Sequence, residues 1–250
     1  MMIRGSTALV TGANRGLGSA LVRALRAGGC AKIYAAARNI AGVAPDRVVH
    51  PVQLDITSAE EVAAAAARCQ DVDILINNAG VAGFKPALGA PTMEHARAEM
   101  ETNYFGTLAM CRAFTPVLKR NGGGALINVL SVVSWFNAPM QGSYCASKAA
   151  EWSLTRAARF ELRAQGTLVV GVFAGYINTD MTRGLALAKT SPDIIAARVL
   201  AGIEADREEI LADERAETLR RELFKDDGPF DANMQKTWDD HVCRQAPAPA

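Results

Sequence analysis

The sequence lacks any long hydrophobic run. Its longest apolar stretch, residues 168–174, is far shorter than the roughly 20 residues that a membrane-spanning helix needs. The apolar stretch 7–10 near the N-terminus is too short for a secretory signal and runs straight into glycines. A cytoplasmic location without a membrane partner is therefore expected. Histidine is scarce: His50, His95 and His241 stand apart, so no metal site is expected. The cysteines, Cys30, Cys69, Cys111, Cys145 and Cys243, are odd in number and form no C-x-x-C pair, which points to reduced thiols. The formal net charge of +1 gives no general attraction to nucleic acid.

What remains suits a globular chain. Hydrophobic residues make up 50% of the 250 positions, enough for a sizeable core. Short β-branched or apolar runs at 7–10, 33–37, 48–53, 74–77, 125–129 and 168–173 predict strands. Between them, 18–27, 59–69, 93–119, 143–163 and 193–205 predict helices, and 215–225 reads as a charged surface helix. Strands alternating with helices imply βαβ units and a parallel sheet, and the strand runs lack clean alternation because helices would cover both faces. Ser58, with Glu61 three residues on, has capping-box spacing, although Thr57 could cap instead. Gly122, Gly123 and Gly124 end the long middle helix. No repeat or linker divides the chain. Residues 1–228 are read as one catalytic domain and 229–250 as a C-terminal extension. The alternating Pro and Ala of 245–250 predict a disordered end.

The first strand runs into Thr11-Gly12-Ala13-Asn14-Arg15-Gly16-Leu17-Gly18, and a helix follows. Glycines at G-x-x-x-G-x-G spacing let the backbone turn tightly and approach a pyrophosphate. The helix N-terminus presents free N–H groups to that anion. The other reading is a tight turn without a ligand.

A second anchor is Tyr144-Cys145-Ala146-Ser147-Lys148, whose Tyr144 and Lys148 share a helix face. Ser131 follows the fifth strand, Asn77-Asn78-Ala79-Gly80 the fourth, and Asn103 and Gly106 form an N-x-x-G string in the middle helix. Together these motifs resemble the short-chain dehydrogenase/reductase family, from about residue 7 to residue 179.

The resemblance implies a doubly wound parallel seven-stranded Rossmann sheet with helices on both faces. Thr11, Gly12, Asn14, Arg15, Gly16, Leu17 and Gly18 would cradle the cofactor's pyrophosphate. Asp55 would contact its adenine, with Ile56 also in the cofactor site; Asn77, Ala79 and Gly80 would stabilise the sheet edge beside the cofactor, and Gly175, Ile177 and Thr179 would lie at the nicotinamide. Asn103, Ser131, Tyr144 and Lys148 would form the catalytic tetrad. The sequence departs from the family at Ala174, where a proline is usual, so a less rigid loop is expected there.

In that frame Tyr144 is the general acid. Tyrosine titrates near ~10, and the Lys148 ammonium is expected to lower that value. Ser131 would stabilise charge on the substrate oxygen. Asn103 would hold a water joining Lys148 to solvent. Cys145 is read as packing and Glu151 as a surface charge. Val132, Val133, Trp135, Phe136, Met140, Tyr176, Met181 and Phe84 are the expected pocket walls. This apolar set favours a hydrophobic ketone, aldehyde or secondary alcohol. Where an NAD enzyme places an acid after its second strand, this sequence has Ala37 and then Arg38, with Arg15 in the glycine loop; the resemblance therefore implies NADP(H). The middle helices carry Tyr104, Met110, Phe114, Trp152 and Phe160 on more than one face, which predicts a homodimer or higher oligomer. A non-catalytic nucleotide-binding regulator on the same fold stays open as the alternative. A sugar-nucleotide epimerase or dehydratase would need G-x-x-G-x-x-G spacing and a larger C-terminal domain, and this sequence has neither.

Overall fold

The apolar runs do form strands. The computed structural model describes residues 1–223, with Lys236 and Asp240 beyond them. The strands are β1 (Thr7–Thr11), β2 (Lys32–Ala37), β3 (Val49–Gln53), β4 (Ile74–Asn77), β5 (Ala125–Val129), β6 (Leu168–Phe173) and β7 (Glu209–Leu211). They build one parallel sheet in the order β3-β2-β1-β4-β5-β6-β7. Each βαβ crossover places a helix on the sheet. The helices are α1 (Gly16–Ala27), α2 (Ala59–Arg68), α3 (Glu94–Glu99), α4 (Thr107–Arg120), α5 (Gly142–Leu162), α6 (Pro192–Glu204) and α7 (Glu214–Leu223).

The absence of alternation in the strands is explained by two cores. Ala8, Val10, Ile33, Ile74, Ile76 and Ile127 face one way, toward Leu21, Leu25, Ile195 and Val199 of α1 and α6. Leu9, Tyr34, Leu75 and Leu126 face the other, toward Val62, Met110, Phe114 and Leu162 of α2, α4 and α5. With both sides buried, apolar residues follow one another along the central strands without alternation.

Ser58 caps α2 as expected, its hydroxyl accepting from the Glu61 N–H at 3.2 Å. The box is not reciprocal: the Glu61 carboxylate accepts instead from the Asp55 N–H at 2.8 Å.

The single helix expected over 93–119 is corrected. Between α3 and α4 the chain forms a π-helical segment, Met100–Gly106. This turn carries Asn103 inward to full burial, where its amide bonds the backbone of Val81 on a different loop. Insertions of this kind are accommodated as π-bulges and often sit at functional sites.

Among the described residues no helix is long and apolar enough to cross a membrane, and no cluster of His, Cys, Asp and Glu could hold a metal. Cys30, Cys69, Cys111 and Cys145 are free and buried. The proposed boundary at 228, the extension 229–250 and the tail 245–250 lie outside the continuously described residues.

The glycine triplet after α4 supplies a direct test. Gly124 has φ +63, and a Cβ there would lie 2.1 Å from the Asp73 carbonyl oxygen; Gly122 has φ +91 but open space around it. Gly124→Ala is expected to destabilise by about 2 kcal/mol or more, and by more than Gly122→Ala. Urea denaturation of both variants measures the difference. Equal losses would mean that backbone conformation alone, and not the contact with Asp73, demands glycine.

Candidate active site

A parallel sheet opens a crevice where the chain leaves neighbouring strands in opposite directions. Here that point lies between β1 and β4, and a cavity of about 810 Å³ runs along the strand ends. Gly12, Asn14 to Gly18, Arg38, Asp55 and Ile56 line one end. Ser131, Val133, Tyr144, Lys148 and Tyr176 line the other.

At the first end the backbone closely packs on itself. Gly12 and Gly16 have φ of +65 and +55, and a Cβ on Gly18 would sit 2.1 Å from the Gly12 carbonyl oxygen. α1 starts at Gly16 without a side-chain cap, so its first N–H groups face the cavity's glycine loop uncapped. The loop is clamped from β4. The Thr11 hydroxyl accepts from the N–H groups of Asn78 and Ala79 at 2.9 and 3.0 Å, and the Asn78 amide donates to the Thr11 carbonyl at 2.8 Å. Asn77, at the end of β4, does not line the cavity. It turns away from the cavity and donates to Asn128 Oδ1 at 2.9 Å, while Asn128 donates to Thr155 Oγ1 at 2.9 Å, tying β4 and β5 to α5. Asp55 lines the cavity. Its burial opposes ionisation, but the N–H and hydroxyl of Thr57 and the charge of Arg38 hold its carboxyl below the usual range. Ala37 closes β2, and Arg38 after it is exposed at the cavity. Arg15 is 70% exposed in its side chain and lies 3.3 Å from Asp180.

At the second end α5 delivers Tyr144 and Lys148 to the same wall as Ser131, which starts a short turn after β5. Lys148 is 5% exposed. Its Nζ donates to the Val129 carbonyl at 2.9 Å and to Glu151 Oε2 at 2.6 Å. Asn103 lies behind this group and does not line the cavity. Its Oδ1 accepts from the Val81 N–H at 2.8 Å, and its Nδ2 donates to the Val81 carbonyl and to Ser147 Oγ, each at 2.9 Å.

Two expectations fail here. Glu151 is no surface charge: it is 1% exposed and paired with Lys148. Nor is the Tyr144 phenol made more acidic. Burial raises its pKa above the ordinary value; Lys148 and the Ser131 hydroxyl oppose the shift, and Glu151 reinforces it. The expected acidifying charge is present, but a carboxylate sits against it.

The expected pocket walls are sorted as well. Phe84, Val132, Val133, Phe136, Tyr176 and Met181 line the cavity, and Phe84 adopts φ +49, rare for a side chain of its size. Trp135 and Met140 do not. Trp135 stacks on Phe173 at 4.4 Å instead and belongs to the core beneath the pocket. Gln141 and Arg215 line the pocket unanticipated. Gln141 donates to the Tyr176 hydroxyl at 2.9 Å, and the Arg215 guanidinium lies 5.2 Å over the Tyr176 ring. Gln141 was accessible to sequence reasoning, since it stands just before the helix that bears Tyr144. Arg215 carried no local signal. It arrives through Asp213, whose carboxylate accepts from the N–H groups of Gly175 and Ala216 at 2.8 Å each. The same bond to Gly175 anchors the loop that was expected to loosen at Ala174.

The family model described as short chain dehydrogenase matches residues 6–189. The chain belongs to the short chain dehydrogenase family. It is accordingly an oxidoreductase with a Rossmann-type sheet. The chain is 32% identical over 192 residues to a 3-oxoacyl-[acyl-carrier-protein] reductase of Synechocystis sp., covering 71% of this chain and 76% of that one. Among solved structures, a short chain dehydrogenase from Burkholderia cenocepacia J2315 in complex with NADP superposes with a TM-score of 0.86 at 41% identity, covering 99% of this chain and 100% of that one. A 7α-hydroxysteroid dehydrogenase complexed with NADH and 7-oxo glycochenodeoxycholic acid gives 0.77 at 26% identity, over 84% of this chain and 94% of that one.

For this short chain dehydrogenase the cavity fits a dinucleotide on its own geometry. The glycine positions leave no room for a Cβ against the backbone, and the uncapped helix start faces the same space. A phosphate group can therefore approach main-chain N–H groups directly.

Proposed function

We propose that this oxidoreductase uses NADP(H) to reduce a hydrophobic ketone or aldehyde, or in reverse to oxidise the secondary alcohol. The observation that carries the reading is that one cavity joins the glycine cradle to Ser131, Tyr144 and Lys148. A nicotinamide dinucleotide held there supplies or accepts the hydride. The chain's own residues handle the proton. Tyr144 gives its O–H proton to the substrate oxygen as charge develops on it. Ser131 donates a hydrogen bond to the same oxygen. Lys148, anchored on the Val129 carbonyl, holds the dinucleotide's ribose and returns a proton to Tyr144. Asn103 fixes the Val81 loop against α5; its Oδ1 keeps a second lone pair for a water on the path to solvent.

Arg38 and Arg15 favour NADP over NAD, in keeping with the NADP complex of the Burkholderia relative. A charge-assisted hydrogen bond contributes roughly 1.5–3 kcal/mol, which solvent screening reduces at exposed side chains. Two such contacts still correspond to about a hundredfold in affinity. The apolar walls and the bile-acid ligand of the hydroxysteroid dehydrogenase support a hydrophobic substrate. The Synechocystis relative favours a second reading, an acyl thioester, so the substrate panel must include one.

We further propose a cytoplasmic homodimer or larger homo-oligomer. Fewer side chains than expected are free for such an interface, because Met110 and Phe114 are fully buried in the chain's own core and Trp152 packs edge-on against Phe173 at 5.0 Å. Phe105 and Phe160 remain 49% and 78% exposed, and they mark the face.

Three outcomes are expected. Tyr144→Phe should lower turnover at least about a hundredfold with nucleotide affinity nearly unchanged; turnover within a few-fold of wild type would remove the role given to Tyr144. Arg38→Asp should shrink or reverse the ratio of kcat/KM for NADPH over NADH, since it adds repulsion as well as deleting attraction; equal use of both nucleotides by the wild type would overturn the assignment. Light scattering at micromolar concentration should report at least twice the 26.5 kDa of one chain, and a monomer would refute the interface.

A further inference from the structure

One cation at the cavity has no task in the scheme above. Among the described residues, four cationic side chains line this space: Arg15, Arg38, Lys148 and Arg215. Arg15 and Arg38 stand at the glycine-loop end, and Lys148 is paired with Glu151. Arg215 stands at the other end, on the first turn of α7. Its alkyl stem packs on Gly175: a Cβ on that glycine would lie 2.6 Å from Arg215 Cδ. Its guanidinium lies 5.2 Å over the ring of Tyr176, which lines the same wall.

The acids nearest to it in sequence and across the sheet edge are engaged elsewhere. Asp213 spends one carboxylate oxygen on the Gly175 N–H and the other on the Ala216 N–H. Glu217 pairs with Arg198 at 2.8 Å, and Glu209 with Arg220 at 3.1 Å. The acids that line the cavity are also held: Asp55 by Thr57, and Asp180 by Arg15 and Arg183. Among the described residues, no carboxylate lies within ion-pair distance of Arg215. A guanidinium is a planar fork of N–H donors that matches both oxygens of a carboxylate, and stacking on an aromatic ring holds it ready. Beside it the Tyr176 hydroxyl accepts from Gln141 and keeps its own hydrogen to donate.

We propose that Arg215 is a specificity residue that binds a carboxylate of the substrate, so that the preferred substrate is a hydrophobic oxo acid. The proposal rests on the reading of this site as a carbonyl reductase. The carbonyl of the oxo acid meets Ser131 and Tyr144, and its apolar body lies against Val133 and Phe136. Its carboxylate meets the Arg215 guanidinium, with the Tyr176 hydroxyl as second donor. A neutral ketone of the same shape fills the apolar walls but leaves Arg215 to water. Because Arg215 is exposed at the cavity, that loss is modest, and neutral ketones are poorer substrates and not excluded ones. The carboxylate keeps its charge throughout the reaction, so Arg215 holds ground state and transition state alike. Its contribution therefore falls on KM and leaves kcat nearly level.

Turnover and binding test this separately. Benzoylformate, benzoylpropionate and benzoylbutyrate are each compared with the matching methyl ester at saturating NADPH, for wild type, Arg215→Gln and Arg215→Lys. In the wild type at least one acid should exceed its ester in kcat/KM by about tenfold, the low end for a charge-assisted bond at an exposed group. The difference should lie in KM and shrink as salt is added. Arg215→Gln should bring the acid-to-ester ratio to about one or below, and Arg215→Lys should keep part of it, since the charge remains without the fork. A residue that only supports the fold would lower acid and ester together and leave the ratio in place. A wild type that prefers no acid over its ester, or a preference that survives Arg215→Gln, overturns the proposal. If Arg215→Gln does not fold, the wild-type ratio and its salt dependence decide. The binding arm uses calorimetry with phenylbutyrate, which has no ketone to reduce, and its methyl ester, with NADP present. Wild type should bind the acid about tenfold more tightly than the ester, and Arg215→Gln should not. That preference in a protein that reduces no ketone would sustain the Arg215 site and sink the carbonyl-reductase reading instead.

Discussion

The structure depends on the reversal of direction at β1. From that strand the chain builds outward to β2 and β3 on one side and to β4 and the later strands on the other. Crossovers on the two sides diverge and leave a crevice above the strand ends. No side chain creates this space. The parallel sheet does, because α1 after β1 and α4 after β4 pack on opposite faces of it. The glycine loop after β1 and the turn after β5 both open into the same crevice, and for that reason they meet.

Polar bonds between loops then fix the site. Thr11 and Asn78 clamp the glycine loop to the end of β4. Asn103 joins the Val81 loop to α5. Asp213 pins the loop at Gly175 to the start of α7. Each of these side chains is largely enclosed and bonds backbone that would otherwise be left without a partner, which is costly in an interior. The Lys148–Glu151 pair is of another kind. Lys148 and Glu151 are both buried, 2.6 Å apart, and a buried ion pair gains little net stability once desolvation is counted.

Much of this was legible in the sequence. Strand positions, the glycine cradle and the order of Ser131, Tyr144 and Lys148 are local patterns, and local patterns survive folding. The family resemblance implies seven strands, but nothing in the sequence locates the seventh at 209–211, because so short a segment has no pattern of its own. The π-helical turn at Met100–Gly106 was not legible, since the partner that draws Asn103 inward is the backbone of Val81 on another loop. Arg215 was hidden for the same reason. Glu151 is different. Its spacing of seven from Tyr144 places it on the same helix face, where it is buried despite its charge. Trp135 shows the converse: an aromatic residue beside the site serves the core, stacked on Phe173.

The central claim is that this cavity carries out hydride transfer to a carbonyl and does not merely bind a nucleotide. NADPH deuterated at the transferable C4 position, incubated with the protein and a panel of hydrophobic ketones, aldehydes and an acyl thioester, tests it most directly. Mass spectrometry should find one deuterium on the former carbonyl carbon of at least one product. Tight nucleotide binding with no deuterium in any product would contradict the account and leave a nucleotide-binding protein without this chemistry.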